Sequence, residues 1–409
     1  MNRFELVRNA RALRRGEYPF VRMLSIEAAR RARDEMIRCP HYQPTPLVDL
    51  PGIASRAGVA RVLYKNESTR FGIGSFKALG GAYAVALLLA EHAALRLNRP
   101  VSIAELARGS LRDVTSDITV VCASDGNHGR AVAAGAQVFG CQCVIFLHEG
   151  VSSGRERAIT ALGAKVVRTQ GNYDDSVRAA TKAAQALRWE LISDTSWAGY
   201  HTVPVRVMQG YTVMALEILE QLQVMGEEPP THVFLQGGVG GLAAAIVAHL
   251  WEELGAARAP TFLIVEPERA DCLFQSALAG KLRSSPGDLN TIMAGLACGE
   301  PSQLAWEILA AGADFFMTIP DDAAVAAMRL LARPKDGSTP IVAGESATAG
   351  LAALLALARS DALEPEADPK LDAHSRVLLF GTEGATDPEL YEKLVGLDAR
   401  PAEMSEARV

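Results

Sequence analysis

Residues 232–254 read HVFLQGGVGGLAAAIVAHLWEEL. An apolar run, Val233-Phe234-Leu235, leads into Gly237-Gly238-Val239-Gly240-Gly241, and an Ala-rich stretch of helical spacing follows. A continuous apolar strand that turns at glycines and restarts as a helix is the unit of a parallel sheet covered on both faces. The glycines also have a chemical reading. Residues without a Cβ let several backbone N–H groups converge on one point, and the helix behind them adds its positive end. The loop is therefore a candidate phosphate cradle, with a tight strand-to-helix turn as the plainer alternative. Gly238-x-Gly240-x-x-Ala243 also fits the dinucleotide fingerprint, and Glu266 ends the next strand, where a ribose-binding acid would sit. From these residues alone, a nicotinamide dinucleotide and another phosphate-bearing cofactor are both open.

The same unit recurs outward in both directions. ITVVCAS (118–124) precedes HGRAVAAGAQVFG (128–140), CVIFLHEG (143–150) precedes GRERAITALGA (154–164), and KVVRTQG (165–171) precedes YDDSVRAATKAAQALR (173–188). TFLIVEP (261–267) precedes RADCLFQSALAG (269–280), and RVLLFGTEG (376–384) closes the series. The class is α/β, with largely parallel twisted sheets flanked by helices. There are more units than one sheet needs, so two domains are expected: a small one over 66–190, and a large discontinuous one from 1–65 plus 191–409. The acidic, Pro-containing stretch 360–375 reads as a surface loop, and the arm before residue 40 as a contact for a partner subunit.

Composition narrows the function classes. With 41 Lys and Arg against 47 Asp and Glu, the 409-residue chain carries a net charge of −6 and no basic block. Such a chain is a poor binder of nucleic acid or of an anionic membrane surface. A 49% hydrophobic content is ample for large cores. No apolar run reaches the roughly 18 residues of a membrane span, and the start, MNRFELVRNARALRRG, lacks the apolar centre of a signal peptide. Six cysteines are too few for a disulfide scaffold and fit reduced thiols in a cytoplasmic enzyme. Cys141-Gln142-Cys143 lacks the second Cys/His pair that a zinc site needs.

Two more segments carry chemistry. Ser124-Asp125-Gly126-Asn127-His128-Gly129 lies between a strand and a helix. Its N–H groups suit a carboxylate, Asp125 is an acid or base, and Asn127 offers an amide. A helix N-cap is the plainer reading. In Arg70-Phe71-Gly72-Ile73-Gly74-Ser75-Phe76-Lys77-Ala78-Leu79-Gly80-Gly81, a lysine stands among apolar and glycine neighbours at the head of a helix. Burial there would lower its pKa and make it a candidate Schiff-base nucleophile.

A lysine, an Asn-Gly loop and a later glycine-rich phosphate loop, in this order, resemble the pyridoxal-phosphate enzymes of fold type II. The resemblance implies pyridoxal 5'-phosphate as cofactor, with Lys77 as its Schiff-base lysine, Phe76 beside it, and Asn127 on the ring oxygen. It puts Gly237, Gly238, Val239, Gly240 and Gly241 at the phosphate. Thr382, in Gly381-Thr382-Glu383-Gly384, faces the pyridine nitrogen, and Glu345, in Gly344-Glu345-Ser346, stands among the cofactor contacts. A neutral hydroxyl at that nitrogen favours β-elimination. SDGNHGR, NYDDSVR, ISDTSWAGY, MQGYTVMALEILEQ, TIMAGLACGEPS and TEGATDPELY are similar to the diaminopropionate ammonia-lyases over about residues 40–395. The resemblance sets the dinucleotide reading aside, since an enzyme that uses NAD has no use for the lysine site.

The implied reaction removes ammonia from a small amino acid, 2,3-diaminopropionate, in both D and L forms, leaving pyruvate and two ammonia. Where related dehydratases carry a small residue, this chain carries Asp125, a stronger base. Lys77 would then deprotonate the L substrate and Asp125 the D substrate. Asp194, in Ser193-Asp194-Thr195-Ser196-Trp197, suits an extra ammonium at Cβ, and Ser124, Gly126 and His128 join the substrate side. A cytoplasmic homodimer is expected. Cys272 and Cys298 flank the expected site loops and are candidates for a redox-sensitive pair. The rival functions are a hydroxyaspartate, serine or threonine dehydratase, and a non-catalytic cofactor-binding protein.

Overall fold

A computed structural model of the chain describes residues 4–12, 16–39, 41–360, 364 and 368–397. Eleven strands run through these residues: β1 (Glu5–Arg8), β2 (Leu47–Asp49), β3 (Arg61–Asn66), β4 (Thr119–Ala123), β5 (Gln142–His148), β6 (Lys165–Thr169), β7 (Glu190–Leu191), β8 (His232–Gln236), β9 (Thr261–Pro267), β10 (Phe315–Ile319) and β11 (Arg376–Gly381). They form two sheets. One has seven strands in the order β1-β10-β9-β8-β11-β3-β2, the other four in the order β6-β5-β4-β7. The four-stranded sheet is parallel throughout. In the larger sheet the inner five strands are parallel, and β1 and β2 close its edges antiparallel.

Every residue of β8 and β10 is buried, as expected for central strands covered by helices on both faces. The helix Gly241–Leu254 that covers β8 buries nearly its whole length and packs on the helix Thr202–Met225. The helix Lys77–Leu97 lies between the helices Asn127–Phe139 and Thr202–Met225, and so joins the two sheets through one continuous core.

The described residues of the arm before residue 40 pack on their own chain. Strand β1 pairs with β10, and the Asn9 side-chain amide donates to the Ala313 carbonyl at 2.7 Å. The helix Ile26–Ile37 lies against Thr202–Met225. One expectation is corrected here: one helix does meet the length and composition of a membrane span. Lys77–Leu97 has 21 residues and a mean hydropathy of 1.5, yet 61% of its apolar window is buried inside the protein. It is apolar all round because it is a core helix. Of the expected loop 360–375, residues 361–363 and 365–367 lie outside the described residues.

The parallel strands of both sheets end toward one cleft. The segments after β3, β8 and β11 supply one side of it, and those after β4, β6 and β7 the other. Open parallel sheets bind ligands beyond the carboxyl ends of their strands, where the backbone turns and side chains are free of the ladder.

Candidate active site

The cleft is concave and lined from both sheets, the setting in which small-molecule sites are built. Its floor is the loop after β8. Gly240 has φ +98°, a conformation that L side chains rarely adopt, and it caps the helix Gly241–Leu254. A Cβ on Gly240 would lie 3.1 Å from Ala305, and one on Gly238 would lie 3.3 Å from the Gly295 carbonyl. Among the described residues, none accepts a hydrogen bond from the N–H groups of Gly238, Val239, Gly240, Gly241 or Leu242. A helix N-terminus that is walled in and unpartnered is built for an anion. Gly237 is the exception among the five expected residues. Its N–H donates to Val265 O at 2.7 Å, and its missing Cβ makes room for Glu266. It continues the sheet and makes the turn, and does not line the cleft.

Glu266 also disposes of the dinucleotide reading on physical grounds. It is fully buried and accepts from the backbone N–H of Leu273 at 2.9 Å and of Phe274 at 2.7 Å. Buried behind the glycine loop and turned to the start of the helix Cys272–Ala279, it does not face the cleft where a ribose would lie.

Lys77 opens its helix on the cleft wall, and its Nζ donates to Asp194 Oδ2 at 2.5 Å. Burial alone would lower its pKa, but the Asp194 carboxylate beside it outweighs burial and moves the ammonium above the ordinary lysine range. The sequence-based expectation of a lowered value is thus reversed, because the acid that reverses it lies 117 residues away. The loop that presents Lys77 is tied down on two sides. Phe76 N–H donates to Thr382 O at 3.0 Å. Below it, Arg70, Glu67, Lys65 and Glu217 form a fully buried ionic cluster, with Arg70 Nη2 2.7 Å and Lys65 Nζ 2.7 Å from Glu217 Oε2.

The opposite rim comes from the four-stranded sheet. Ser124 Oγ accepts from the N–H groups of Gly126 (2.9 Å) and Gly129 (2.8 Å), which shapes the turn between β4 and the helix Asn127–Phe139. Asp125 is therefore not a cap, and its carboxylate Oδ1 takes a hydrogen bond from His148 Nε2 at 2.8 Å. Burial raises the Asp125 carboxyl above the ordinary range, against the His148 hydrogen bond and the Arg155 charge. Asp194, after β7, also accepts from the Tyr173 hydroxyl at 3.2 Å. Burial would raise its pKa, but His128, Lys77 and Tyr173 outweigh burial and hold it below the usual carboxylate range. His128 itself is buried, which lowers its pKa, and its Nε2 pairs with Ile192 O at 2.8 Å.

Phe76, Lys77, Ser124, Asp125, Gly126, Asn127, His128, Asp194, Gly238, Val239, Gly240, Gly241 and Thr382 all line this one cleft. Asn127 Nδ2 donates to Glu383, which also accepts from Ser346 N–H and the Thr386 hydroxyl. Glu345 stands behind the wall. It pairs with Arg155, and burial raises its carboxyl to about 7. Its neighbour Ser346 lines the cleft instead, so direct cofactor contact by Glu345 is not what the geometry offers. Cys272 and Cys298 are free thiols, and only Cys298 lines the cleft. The sequence reading missed His148, Tyr173, Arg155 and Glu383. Each lies at or just beyond the carboxyl end of a strand, or on the helix that follows it, which is the position that could have marked them.

Taken together, an anion cradle, a buried lysine and a hydroxyl at Thr382 fit pyridoxal phosphate, whose phosphate, carbonyl and ring nitrogen they match in kind. The fold and cleft define a fold type II enzyme that uses this cofactor. A family model described as pyridoxal-phosphate dependent enzyme matches residues 39–370. A diaminopropionate ammonia-lyase of Escherichia coli is 40% identical over 378 residues, which is 91% of this chain and 92% of that one. The crystal structure of the Escherichia coli enzyme with an aminoacrylate-PLP azomethine reaction intermediate superposes with a TM-score of 0.85, at 37% identity over 97% of both chains. The structure of that enzyme with D-serine gives a TM-score of 0.86, at 36% identity over 96% and 97%. The chain belongs to the pyridoxal-phosphate-dependent enzymes and, within them, to the diaminopropionate ammonia-lyase family of carbon–nitrogen lyases.

Proposed function

We propose that the chain eliminates ammonia from both D- and L-2,3-diaminopropionate and releases pyruvate and two ammonia. The observation that carries this reading is the pairing of two candidate bases in one cleft, Lys77 from the seven-stranded side and Asp125 from the four-stranded side. Lys77 would hold the cofactor through its amine, the N–H groups of 238–242 its phosphate, and Thr382 its ring nitrogen, with Asn127 at the ring oxygen. Bound pyridoxal phosphate supplies an electron sink for the pair left at Cα.

The protein's own residues handle protons and charge. The Cα–H bond breaks with its proton moving to Lys77 Nζ for the L form and to Asp125 for the D form. The Cβ–N bond then breaks with its pair leaving on nitrogen, as the first ammonia. One water completes the balance to pyruvate and the second ammonia. Asp194 is held ionised beside Lys77 and suits the substrate's second ammonium. Ser124, Gly126 and His128 stand on the substrate's carboxylate side in this reading.

The strands of the two sheets, drawn from 119–191 and from 5–66 with 232–381, support a two-domain division near residues 65 and 190. A cytoplasmic homodimer belongs to the same reading. Six unpaired cysteines support the compartment, and light scattering reads the mass. The function is tested by supplying each enantiomer, and D- and L-serine, threonine and hydroxyaspartate, while measuring keto acid and ammonia. Two ammonia per pyruvate from both diamino enantiomers is the expected result. One ammonia per keto acid from a hydroxy substrate, with no diaminopropionate turnover, would make the chain a dehydratase.

A further inference from the structure

His148 ends β5 and is the partner of Asp125 that no motif announced. Its two ring nitrogens are both engaged. Nδ1 accepts the Gly150 backbone N–H at 3.2 Å, and Nε2 lies 2.8 Å from Asp125 Oδ1. A nitrogen that accepts an N–H carries no proton, so the ring is the neutral tautomer with its proton on Nε2. That proton donates to Asp125. Among the described residues, His148 makes the one hydrogen bond to the Asp125 carboxylate, and it leaves Oδ2 without a partner.

We propose that His148 is a positioning residue for the D-specific base: its Nε2–H holds Oδ1 and keeps Asp125 ionised, with Oδ2 turned over to the Cα proton. The inference rests on Asp125 being that base. Other groups facing Asp125 come from every neighbouring element. Arg155, on the helix Ser153–Thr160, donates to its backbone oxygen at 3.1 Å, and the Arg155 charge favours the carboxylate. Asp194 after β7, Tyr173 and Asp174 on the helix Tyr173–Leu187, and Cys298 on its loop are electrostatic neighbours. Those neighbours disfavour the anion or are neutral, and burial raises the carboxyl further. The imidazole opposes them by direct contact, and among the described residues it makes no hydrogen bond to Lys77 or to the glycine loop after β8.

The enantiomers separate this role from a structural one. Removing the donor takes away a contact that favours the Asp125 carboxylate, so the carboxyl rises further and its ionised fraction falls on the acid side. In holoenzyme carrying His148→Leu, the acid limb of kcat/KM for D-2,3-diaminopropionate is expected to move to higher pH. On the acid side of that limb the D rate falls, while the L profile stays in place. His148→Gln retains a donor near the Nε2 position and restores the D profile. An unmoved D limb overturns the proposal, and so does an equal shift or loss on both enantiomers with cofactor still bound. Asp125→Asn, run in parallel, keeps the two readings apart. If it spares D turnover, Asp125 is not the base. If it removes D turnover while His148→Leu leaves the limb unmoved, only the role of His148 fails.

Discussion

The two rims of the cleft are anchored in different ways. On the seven-stranded side, the loop to Lys77 rests on the ion cluster of Lys65, Glu67, Arg70 and Glu217, each no more than 1% exposed. The neighbouring glycine loop after β8 is fixed by backbone shape, with Gly240 at φ +98°. On the four-stranded side, the Asp125 carboxylate takes one hydrogen bond, from His148, and the Asp194 carboxylate takes two, from Tyr173 and Lys77. One rim has the build of a mount for the proposed cofactor. The other carries Asp125, the proposed proton carrier, and the ionised Asp194 that would face the substrate. Among the described residues, the Asp194–Lys77 hydrogen bond links the two rims at the groups that would meet the substrate.

Breaking the mount gives the largest effects. Lys77→Ala should lower turnover of both enantiomers by more than about 10⁴-fold, since a base and the covalent tether are lost together. Borohydride followed by mass measurement of the denatured protein should then show no fixed cofactor. A cofactor fixed at another lysine would show that the mount is elsewhere. Next is Glu217→Gln. It leaves Arg70 and Lys65 buried against one carboxylate, Glu67, and should cost about 3–5 kcal/mol in denaturant unfolding.

The same cluster predicts a pH dependence. Burial would raise the Glu217 carboxyl, but Arg70 and then Lys65 outweigh burial and hold it below the usual carboxylate range. Its contribution is therefore full at neutral pH and is lost as pH falls through its folded value. The Gln variant should lose less stability on acidification than the parent, which a urea titration at two pH values reads. Smallest is Gly240→Val. Holding the anion-binding shape there would cost a β-branched residue about 1–3 kcal/mol, so cofactor binding should weaken by about tenfold to a hundredfold in equilibrium dialysis. Unchanged affinity would move the phosphate away from this loop.

The same contrast explains what could be read in advance. The residues that meet on the proposed mount could be singled out because they are local in sequence. Glycines 238, 240 and 241 sit together, as do Ser75, Phe76 and Lys77, and HVFLQ runs straight into its helix. Five strands were missed. β1 and β2 are antiparallel edges and β7 is only two residues long, but β3 and β10 are inner parallel strands that the reading of strand–helix units passed over. On the proton-carrying rim, Asp125 could be picked out by its oddness in an Asn-Gly loop, but its environment could not. His148 reaches it across 23 residues, through the parallel register of β4 on β5. Asp194 reverses the expected shift of Lys77 across 117 residues. Glu345 was misplaced by one position, because the short helical turn Ser346–Thr348 turns Ser346 into the cleft and leaves Glu345 to Arg155. Side-chain direction in a turn is set by backbone geometry that residue types alone do not encode.

The central claim is that the two rims supply different bases to one substrate position. It is tested most directly by kcat/KM of Asp125→Asn on D- and on L-2,3-diaminopropionate. Asn is nearly isosteric and still accepts from His148, so the fold and the cofactor mount should persist. A positioned base is typically worth about 10²–10⁴ in rate. The account predicts a loss of that order for the D form and less than about tenfold for the L form. Equal losses on both enantiomers, or undiminished D turnover, would contradict it.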